Sequence, residues 1–155
     1  MRKRKFIKNA KCSAMVGRMK KLPEKSRFKS IKDACFALGE IPSINCGGCG
    51  IAAYFIEKEC LKRKLKPEIV FMLHHSDKPN EKKPFAPRHA LVKVGNRYYD
   101  ARGEHNEPGW GGVETIVSEK YLLRSIKNKN SWNDEFDREE YVPEIEKKFG
   151  FNLAA

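Results

Sequence analysis

The run from His89 to Asp100 constrains the fold more than any other segment of this 155-residue chain. It reads His-Ala-Leu-Val-Lys-Val-Gly-Asn-Arg-Tyr-Tyr-Asp, with Gly95 and Asn96 between two alternating segments. A Gly-Asn pair in this position signals a two-residue β-hairpin turn. In that register Leu91 faces Asp100, so the side chains of His89 and Asp100 share one face as diagonal neighbours. The sequence therefore predicts a histidine–carboxylate pair on an antiparallel sheet, and a one-residue slip would abolish it.

A glycine-rich segment with two cysteines, residues 44–53, precedes the longest helix that the sequence predicts. Cys49 is expected at the N-terminus of that helix, where unpaired N–H groups carry partial positive charge. This position is expected to lower the pKa of the thiol and to favour the nucleophilic thiolate. The N–H of Cys49 and the side chain of Asn45 or Ser43 are candidate oxyanion donors, and Cys46 is the reserve nucleophile. The alternative is a buried, inert cysteine at a helix start.

Apolar periodicity predicts the remaining elements of an α+β domain. One helix is expected to end before Gly39, with Phe28, Ile31, Cys35 and Leu38 facing the core. The Cys49 helix is expected to run to about Leu65. Its apolar side is expected at Ile51, Phe55, Leu61 and Leu65, and its solvent-facing side at Lys58, Lys62 and Lys64. Further elements are expected as a buried strand over 69–73, a short strand over 113–117, a helix capped by Ser118, and a last helix over 143–149.

Composition and charge limit the class of protein. We expect a basic arm with a short helix over residues 1–22 and a single domain over 23–155. The net charge of +12 allows contact with a polyanion through the arm, although a solvated surface explains it equally well. No apolar run long enough to span a membrane and no secretory signal are present in the sequence.

The chain has five cysteines, an odd number that argues against a disulfide framework and favours a reducing cytoplasm. We expect Cys12, Cys35 and Cys60 to be buried small hydrophobes. The small size, the basic arm and the absent signal suit a phage-encoded or bacterial protein acting on a protein of its host cell.

Four histidines compete for the role of general base, and only His89 has a carboxylate at the required hairpin offset. A histidine can accept a thiol proton near neutral pH, and Asp100 would fix its tautomer. The alternatives are a solvent-facing His89 and an Asp100 paired with Lys93 or Arg102. Trp110, in a glycine-rich loop, is a candidate wall of the cleft or an ordinary loop-packing residue.

The Cys-Gly-Gly-Cys-Gly segment and the helix after it are similar to the nucleophile region of papain-like cysteine peptidases. The segment from His89 to Gly103 resembles the histidine–aspartate strands of the wider papain-like and transglutaminase-like superfamily. The resemblance covers residues 40–105 and implies a papain-like core, a nucleophile-bearing helix packed on a small antiparallel sheet. It also implies Cys49 as nucleophile, His89 as base and Asp100 as its orienting partner, with no cofactor and a protein or peptide amide as substrate.

The sequence departs from papain itself at two positions. Gly50 stands where papain has an aromatic residue, and Ser43 stands at the offset of its oxyanion glutamine. Peptidase, deamidase, transglutaminase and amidase activities therefore all stay open.

Three other functions fit parts of the sequence. Cys46 and Cys49 have the C-x-x-C spacing of thioredoxin-like oxidoreductases. The same two cysteines with His74 and His75 have some features of a zinc site, although no second closely spaced pair follows. The basic arm alone favours a non-catalytic nucleic-acid-binding module. Because His89 and Asp100 have no role in these alternatives, we expect an acyl-transfer enzyme without a bound metal.

Overall fold

The computed structural model of the chain describes residues 25–42, 44–45, 47–77, 87–127 and 138–150. The N-terminal arm and Cys12 lie outside the described residues. The elements are α1 Ile31–Gly39, α2 Cys49–Lys62, β1 Glu68–Leu73, β2 His89–Val94, β3 Arg97–Asp100, β4 Gly103–His105, β5 Val113–Val117, α3 Glu119–Lys127 and α4 Arg138–Phe149.

The five strands form one antiparallel sheet in the order β4-β3-β2-β1-β5. Helix α2 packs on β1, β2 and β3, and both α1 and α3 contact α2. Helices and antiparallel strands are thus segregated, and the predicted α+β class is confirmed. The finer prediction of a papain-like core stays a prediction.

The β2–β3 hairpin has the register that the sequence predicts. Val94 pairs with Arg97 across the turn formed by Gly95 and Asn96. Gly95 has a φ of 59°, in the left-handed region that such a turn requires. On its other side β2 pairs with β1, which places His89 opposite Met72. His89 therefore lies in the central strand, at the end of the sheet where β1 ends and β2 begins.

The sheet separates two apolar clusters. The cluster on the helix-covered face includes Ile69, Phe71, Ala90, Val92 and the buried side chains of α1 and α2. The cluster on the other face consists of Val70, Met72, Leu91 and Tyr98, with Trp110 packed against it. Because side chains alternate along a strand, His89 belongs to the Leu91 face and Ala90 to the helix-covered face.

Helix α2 is buried on more sides than the sequence predicts. Ile51 and Phe55 are buried as expected, but Leu61 and Leu65 are 47% and 39% exposed. Lys58, expected on the solvent-facing side, is buried because α3 packs beside α2 and supplies Glu119 as its partner. The helix also ends earlier than predicted, at Lys62.

Helices α1 and α3 begin at side-chain caps. Ser30 accepts a hydrogen bond from the Asp33 N–H and starts α1. Ser118 does the same for α3 through the N–H of Tyr121, as predicted. Helix α4 begins at Arg138, so Pro143 lies within it and does not start it. No helix in the described ranges is long and apolar enough to cross a membrane.

Candidate active site

The side chains of His89 and Asp100 meet on the sheet, as the hairpin register predicts. His89 Nε2 lies 2.8 Å from Asp100 Oδ2, and the two residues are only 1% and 2% exposed. An ionised carboxylate can only accept hydrogen bonds, so the Nε2 atom carries the proton and Nδ1 is the basic nitrogen. A histidine held in this tautomer can take a proton at Nδ1.

Asp100 is the centre of the network and accepts five hydrogen bonds. Besides His89, its donors are the backbone N–H, Nε and Nη2 of Arg102 and the Nε2 of His105. Burial alone would raise the pKa of the carboxyl group, but the hydrogen bonds from His89, Arg102 and His105 outweigh it. The pKa of Asp100 therefore lies well below its usual range. The group is an anion throughout the physiological range.

His105 is a partner of Asp100 that the sequence did not single out. It lies on strand β4, and its Nε2 is 2.9 Å from Asp100 Oδ1. The turn at Ala101 and Arg102 pairs Asp100 with Gly103, so His105 is its diagonal neighbour on the far side from His89. Gly103, directly after this turn, is the sequence signal from which a second hairpin could have been predicted.

Trp110 lies on the His89 ring. The two rings are stacked with centroids 4.5 Å apart, and the guanidinium carbon of Arg102 lies 4.9 Å from the centre of the indole. The indole Nε1 is buried and has no hydrogen-bond partner within the described part of the chain. The side chain predicted as a cleft wall or a loop-packing residue is therefore in direct contact with the candidate base.

Cys49 is the first residue of α2, behind the N-cap residue Gly48, as predicted. Its expected low pKa is wrong, because the residue is only 5% exposed. Burial raises the pKa of the Cys49 thiol to about 11, and the backbone N–H groups of Ala90, Gly50 and Cys49 itself offset only part of that rise. The thiol is therefore protonated at neutral pH.

Within the described residues, no hydrogen bond joins the Cys49 thiol to the His89 ring. The thiol is close enough to the Ala90 N–H, one residue after His89, for a hydrogen bond that lowers its pKa. Cys49 packs in the cluster of the helix-covered face, whereas His89 stacks on Trp110 beside the opposite cluster. The structure thus brings His89, Asp100 and Trp110 together, whereas Cys49 contacts Ala90 from the helix-covered face of the sheet.

The remaining candidate oxyanion donors, the reserve nucleophile and the candidate zinc ligands lie outside the His89–Asp100 network or outside the described residues. Asn45 has a buried side-chain oxygen without a partner in the described chain, whereas Ser43 and Cys46 lie outside the described residues. His74 and His75 are exposed where β1 ends. Within the described ranges no three histidine, cysteine or acidic side chains form a group able to hold a metal ion.

An open groove lies beside the network and not over Cys49. Its volume is about 630 Å³, and it lies between α1 and the β3–β4 turn. Phe36, Ala101 and Arg102 are among its lining residues, whereas Cys49 and His89 are not. Its lining contains no cysteine, serine or histidine, so the candidate nucleophile and base both lie outside the groove.

Comparisons with known proteins add no family to this description. No family model matches the chain. No curated protein and no solved structure matches it either. The resemblance to papain-like enzymes therefore depends on the motif residues alone.

Proposed function

We propose that this protein is a cysteine-dependent acyl-transfer enzyme acting on an amide, with Cys49 as nucleophile, His89 as base and Asp100 as the group that orients His89. One observation carries the proposal. His89, in its buried pair with Asp100, is the first residue of β2. The next residue, Ala90, contacts the Cys49 thiol at the N-terminus of α2. These are the three groups that acyl transfer through a thioester requires.

The stability of the fold does not by itself account for the His89–Asp100 pair. Burying charged groups costs free energy, and apolar residues of the same volume often stabilise a core equally well. Arg102 already neutralises Asp100, so the fold does not need a buried histidine to balance that charge. Buried titratable pairs with strongly shifted pKa values are concentrated at functional sites.

The raised pKa of Cys49 favours general-base catalysis over a preformed ion pair. The Cys49 sulfur attacks the amide carbonyl carbon while His89 Nδ1 takes the thiol proton. His89 then gives that proton to the leaving amine as the C–N bond breaks, which leaves a thioester on Cys49. Water or a second amine attacks the thioester, His89 takes its proton, and the proton returns to the sulfur as the acyl product leaves.

The start of α2 provides donors for the oxyanion. The N–H groups of Cys49 and Gly50 belong to the first turn, where helix N–H groups have no partner within the helix. Such fixed donors stabilise the negative charge of a tetrahedral intermediate. Asn45 and Ser43 stay predicted contributors.

Catalysis in this account requires the Cys49 thiol and the His89 ring to approach each other. Catalytic hydrogen bonds are often long or misaligned before substrate binds and shorten in the substrate complex. Gly47, just before the helix, has a φ of 101°, a conformation that glycine adopts easily. We propose that substrate binding at this loop turns the thiol towards Nδ1.

The oxidoreductase alternative is less well supported. A thioredoxin-like motif is expected near a β-α-β unit with parallel strands. All strand pairs within the described ranges are antiparallel. The helix after Cys49 leads to β1, which pairs antiparallel with both of its neighbours.

We propose a protein or peptide amide as the substrate class. Cys35, Cys49 and Cys60 are free thiols, which fits a reducing compartment such as the cytoplasm of a host cell. Contact between the basic arm and a polyanion stays a separate prediction about residues 1–22.

The experiment uses p-nitrophenyl acetate, a small activated acyl donor that needs no knowledge of the natural substrate. We expect one equivalent of nitrophenolate in a rapid phase and an acetyl group on Cys49 in the mass-mapped peptides. The Cys49→Ala variant is expected to lose the rapid phase, and His89→Gln to slow it by about a hundredfold, a typical general-base contribution.

His75→Gln is the matched control, because this exposed histidine lies outside the network. It should acylate at the wild-type rate. Acetylation spread evenly over the five thiols, or a rapid phase that survives in Cys49→Ala, would contradict the proposal.

A further inference from the structure

Arg102 completes a cycle of four side chains, each in contact with the next, that includes the candidate base His89. Its Nη2 and Nε lie 2.8 Å and 3.1 Å from Asp100 Oδ2, the same oxygen that His89 contacts. Its guanidinium also lies 4.9 Å from the centre of the Trp110 ring, which stacks on His89. Each of the four side chains therefore contacts the next, in the order His89, Asp100, Arg102, Trp110 and back to His89.

We propose that Arg102 is the positioning residue of this site, which holds both Asp100 and Trp110 against His89 and limits how strongly Asp100 favours the charged imidazolium. The part that concerns catalysis depends on the proposed acyl-transfer function. The part that concerns the placement of Trp110 and His89 does not.

The geometry gives Arg102 two separate effects. The planar guanidinium forms paired hydrogen bonds with a carboxylate and stacks on an aromatic ring, which a lysine ammonium cannot do in the same way. It thereby fixes the two groups that hold His89. Its positive charge acts in addition, because it cancels much of the field that the Asp100 anion exerts on His89.

The other titratable groups near His89 are paired with other residues or are neutral, so Arg102 is the charge that offsets the effect of Asp100 on His89. His105 faces Asp100 from β4, on the side away from His89. Lys93 and Glu114, farther out on the same sheet face, are paired with each other at 2.8 Å. The Cys49 thiol on α2 and the Cys35 thiol on α1 are neutral at neutral pH, because burial raises their pKa values to about 11 and about 12.

Trp110 provides a direct reporter. The chain has two tryptophans, so a Trp132→Phe background leaves Trp110 as the sole tryptophan, whose emission can be excited apart from that of the tyrosines. Protonated imidazole quenches a stacked indole, so the emission of Trp110 is expected to depend on pH while the two rings stay stacked. In Arg102→Met we expect brighter emission with a weaker pH response, because the indole is no longer held on the ring.

The acylation rate of Cys49 by p-nitrophenyl acetate tests the charge effect. Removing a positive charge from the site favours the protonated form of the site as a whole. The acid limb of the rate profile of Arg102→Met is therefore expected to move to higher pH, with a rate at neutral pH about tenfold lower. Arg102→Lys keeps the charge, so its acid limb should stay in place while its rate falls.

Arg97→Met is the matched control, since Arg97 lies at the opposite end of β3 and pairs with Glu104 and Asn106. It should leave both readouts unchanged. Wild-type emission and a wild-type rate profile in Arg102→Met would overturn the proposal. If Arg102→Met does not fold, Arg102→Lys decides, because wild-type emission and rate in that variant would equally overturn it.

The two proposals fail in different ways. If wild-type Cys49 is not acylated at all, the acyl-transfer function is wrong, while the pH response of Trp110 still tests the placement by Arg102. If Cys49 is acylated and Arg102→Met behaves as wild type, only the role of Arg102 is wrong.

Discussion

Trp110 lies nearly parallel to His89, with an interplanar angle of 24° and 4.5 Å between ring centroids. The indole covers one face of the imidazole and contributes to its burial, which leaves His89 1% exposed. Asp100 holds the same ring at its Nε2 edge. The ring is thus restrained over one face by Trp110 and at its Nε2 edge by Asp100.

The loop that carries Trp110 is fixed by the close approach of Gly112 to β1. A Cβ atom on Gly112 would clash with the Leu73 carbonyl oxygen, and the φ of Gly112 is 106°. We expect Gly112→Ala to lower the free energy of unfolding by about 3 kcal/mol, because both the strained φ and the clash must be relieved. Urea unfolding and Trp110 emission in the Trp132→Phe background measure this change.

Gly111→Ala is the matched control, since Gly111 also has a positive φ, of 55°, but nothing lies within 4 Å of its added Cβ. Its cost is expected to be about 1 kcal/mol, with unchanged emission. Equal costs in the two variants would show that the contact with Leu73 is unimportant.

Asp100 is expected to make stability depend on pH. Because its pKa is lowered in the folded state, its contribution is present above the pKa of an unfolded aspartate, about 4, and is lost as pH falls towards the folded value. Asp100→Asn should cost about 3 kcal/mol at pH 7, with a smaller difference from wild type at pH 3. Urea unfolding at several pH values tests this.

The exposed Asp77 supplies the comparison for that series. Asp77→Asn should track the wild-type curve at every pH. A difference between wild type and Asp100→Asn that stays constant from pH 7 to pH 3 would mean that the carboxylate charge is not the stabilising feature.

The sequence predicted the hairpin best, because its strands alternate and its two-residue turn allows only one register. That register alone led to the His89–Asp100 pair. Strand β1 was equally clear, since the five apolar residues from Ile69 to Leu73 are all buried. In both cases local pattern and final packing agree.

Features that depend on distant packing were missed. The periodicity of α2 placed Leu61 inside and Lys58 outside. Leu61 is exposed, and Lys58 is buried because α3 packs beside it and supplies Glu119. The pKa of Cys49 was expected to be low from its place at a helix start, whereas the burial that raises it is set by the sheet below the helix. His105 and the stacking of Trp110 depend on how the β4 hairpin and a later loop fold back onto His89.

A second buried acid, Glu59, is expected to hold the segment before α1 onto α2. It is fully buried and accepts hydrogen bonds from Ser26, Lys62 and Arg63. Glu59→Gln should cost about 3 kcal/mol in the free energy of unfolding, because Lys62 and the partly exposed Arg63 lose a fully buried counter-ion.

The partly exposed Glu114, which pairs with Lys93, is the control for Glu59. Glu114→Gln should cost less than about 1 kcal/mol, as is usual for surface pairs. Similar losses in the two variants, measured by thermal unfolding, would contradict the distinction.

Cys46 separates the acyl-transfer proposal from the oxidoreductase alternative. An acyl-transfer enzyme needs one thiol, whereas a C-x-x-C redox centre needs both. We expect Cys46→Ser to retain acylation of Cys49 by p-nitrophenyl acetate within about twofold of the wild-type rate. Loss of acylation in Cys46→Ser together with a reversible Cys46–Cys49 disulfide in the wild type would favour the redox function.

The pH dependence of Cys49 acylation tests the central claim most directly, because it asks whether His89 takes the thiol proton. If His89 is the base, the wild-type rate should reach a plateau near neutral pH, far below the thiol pKa of about 11. In His89→Gln the rate should instead rise by about tenfold per pH unit until the thiol itself ionises. Identical profiles for wild type and His89→Gln, both rising towards pH 11, would contradict the account.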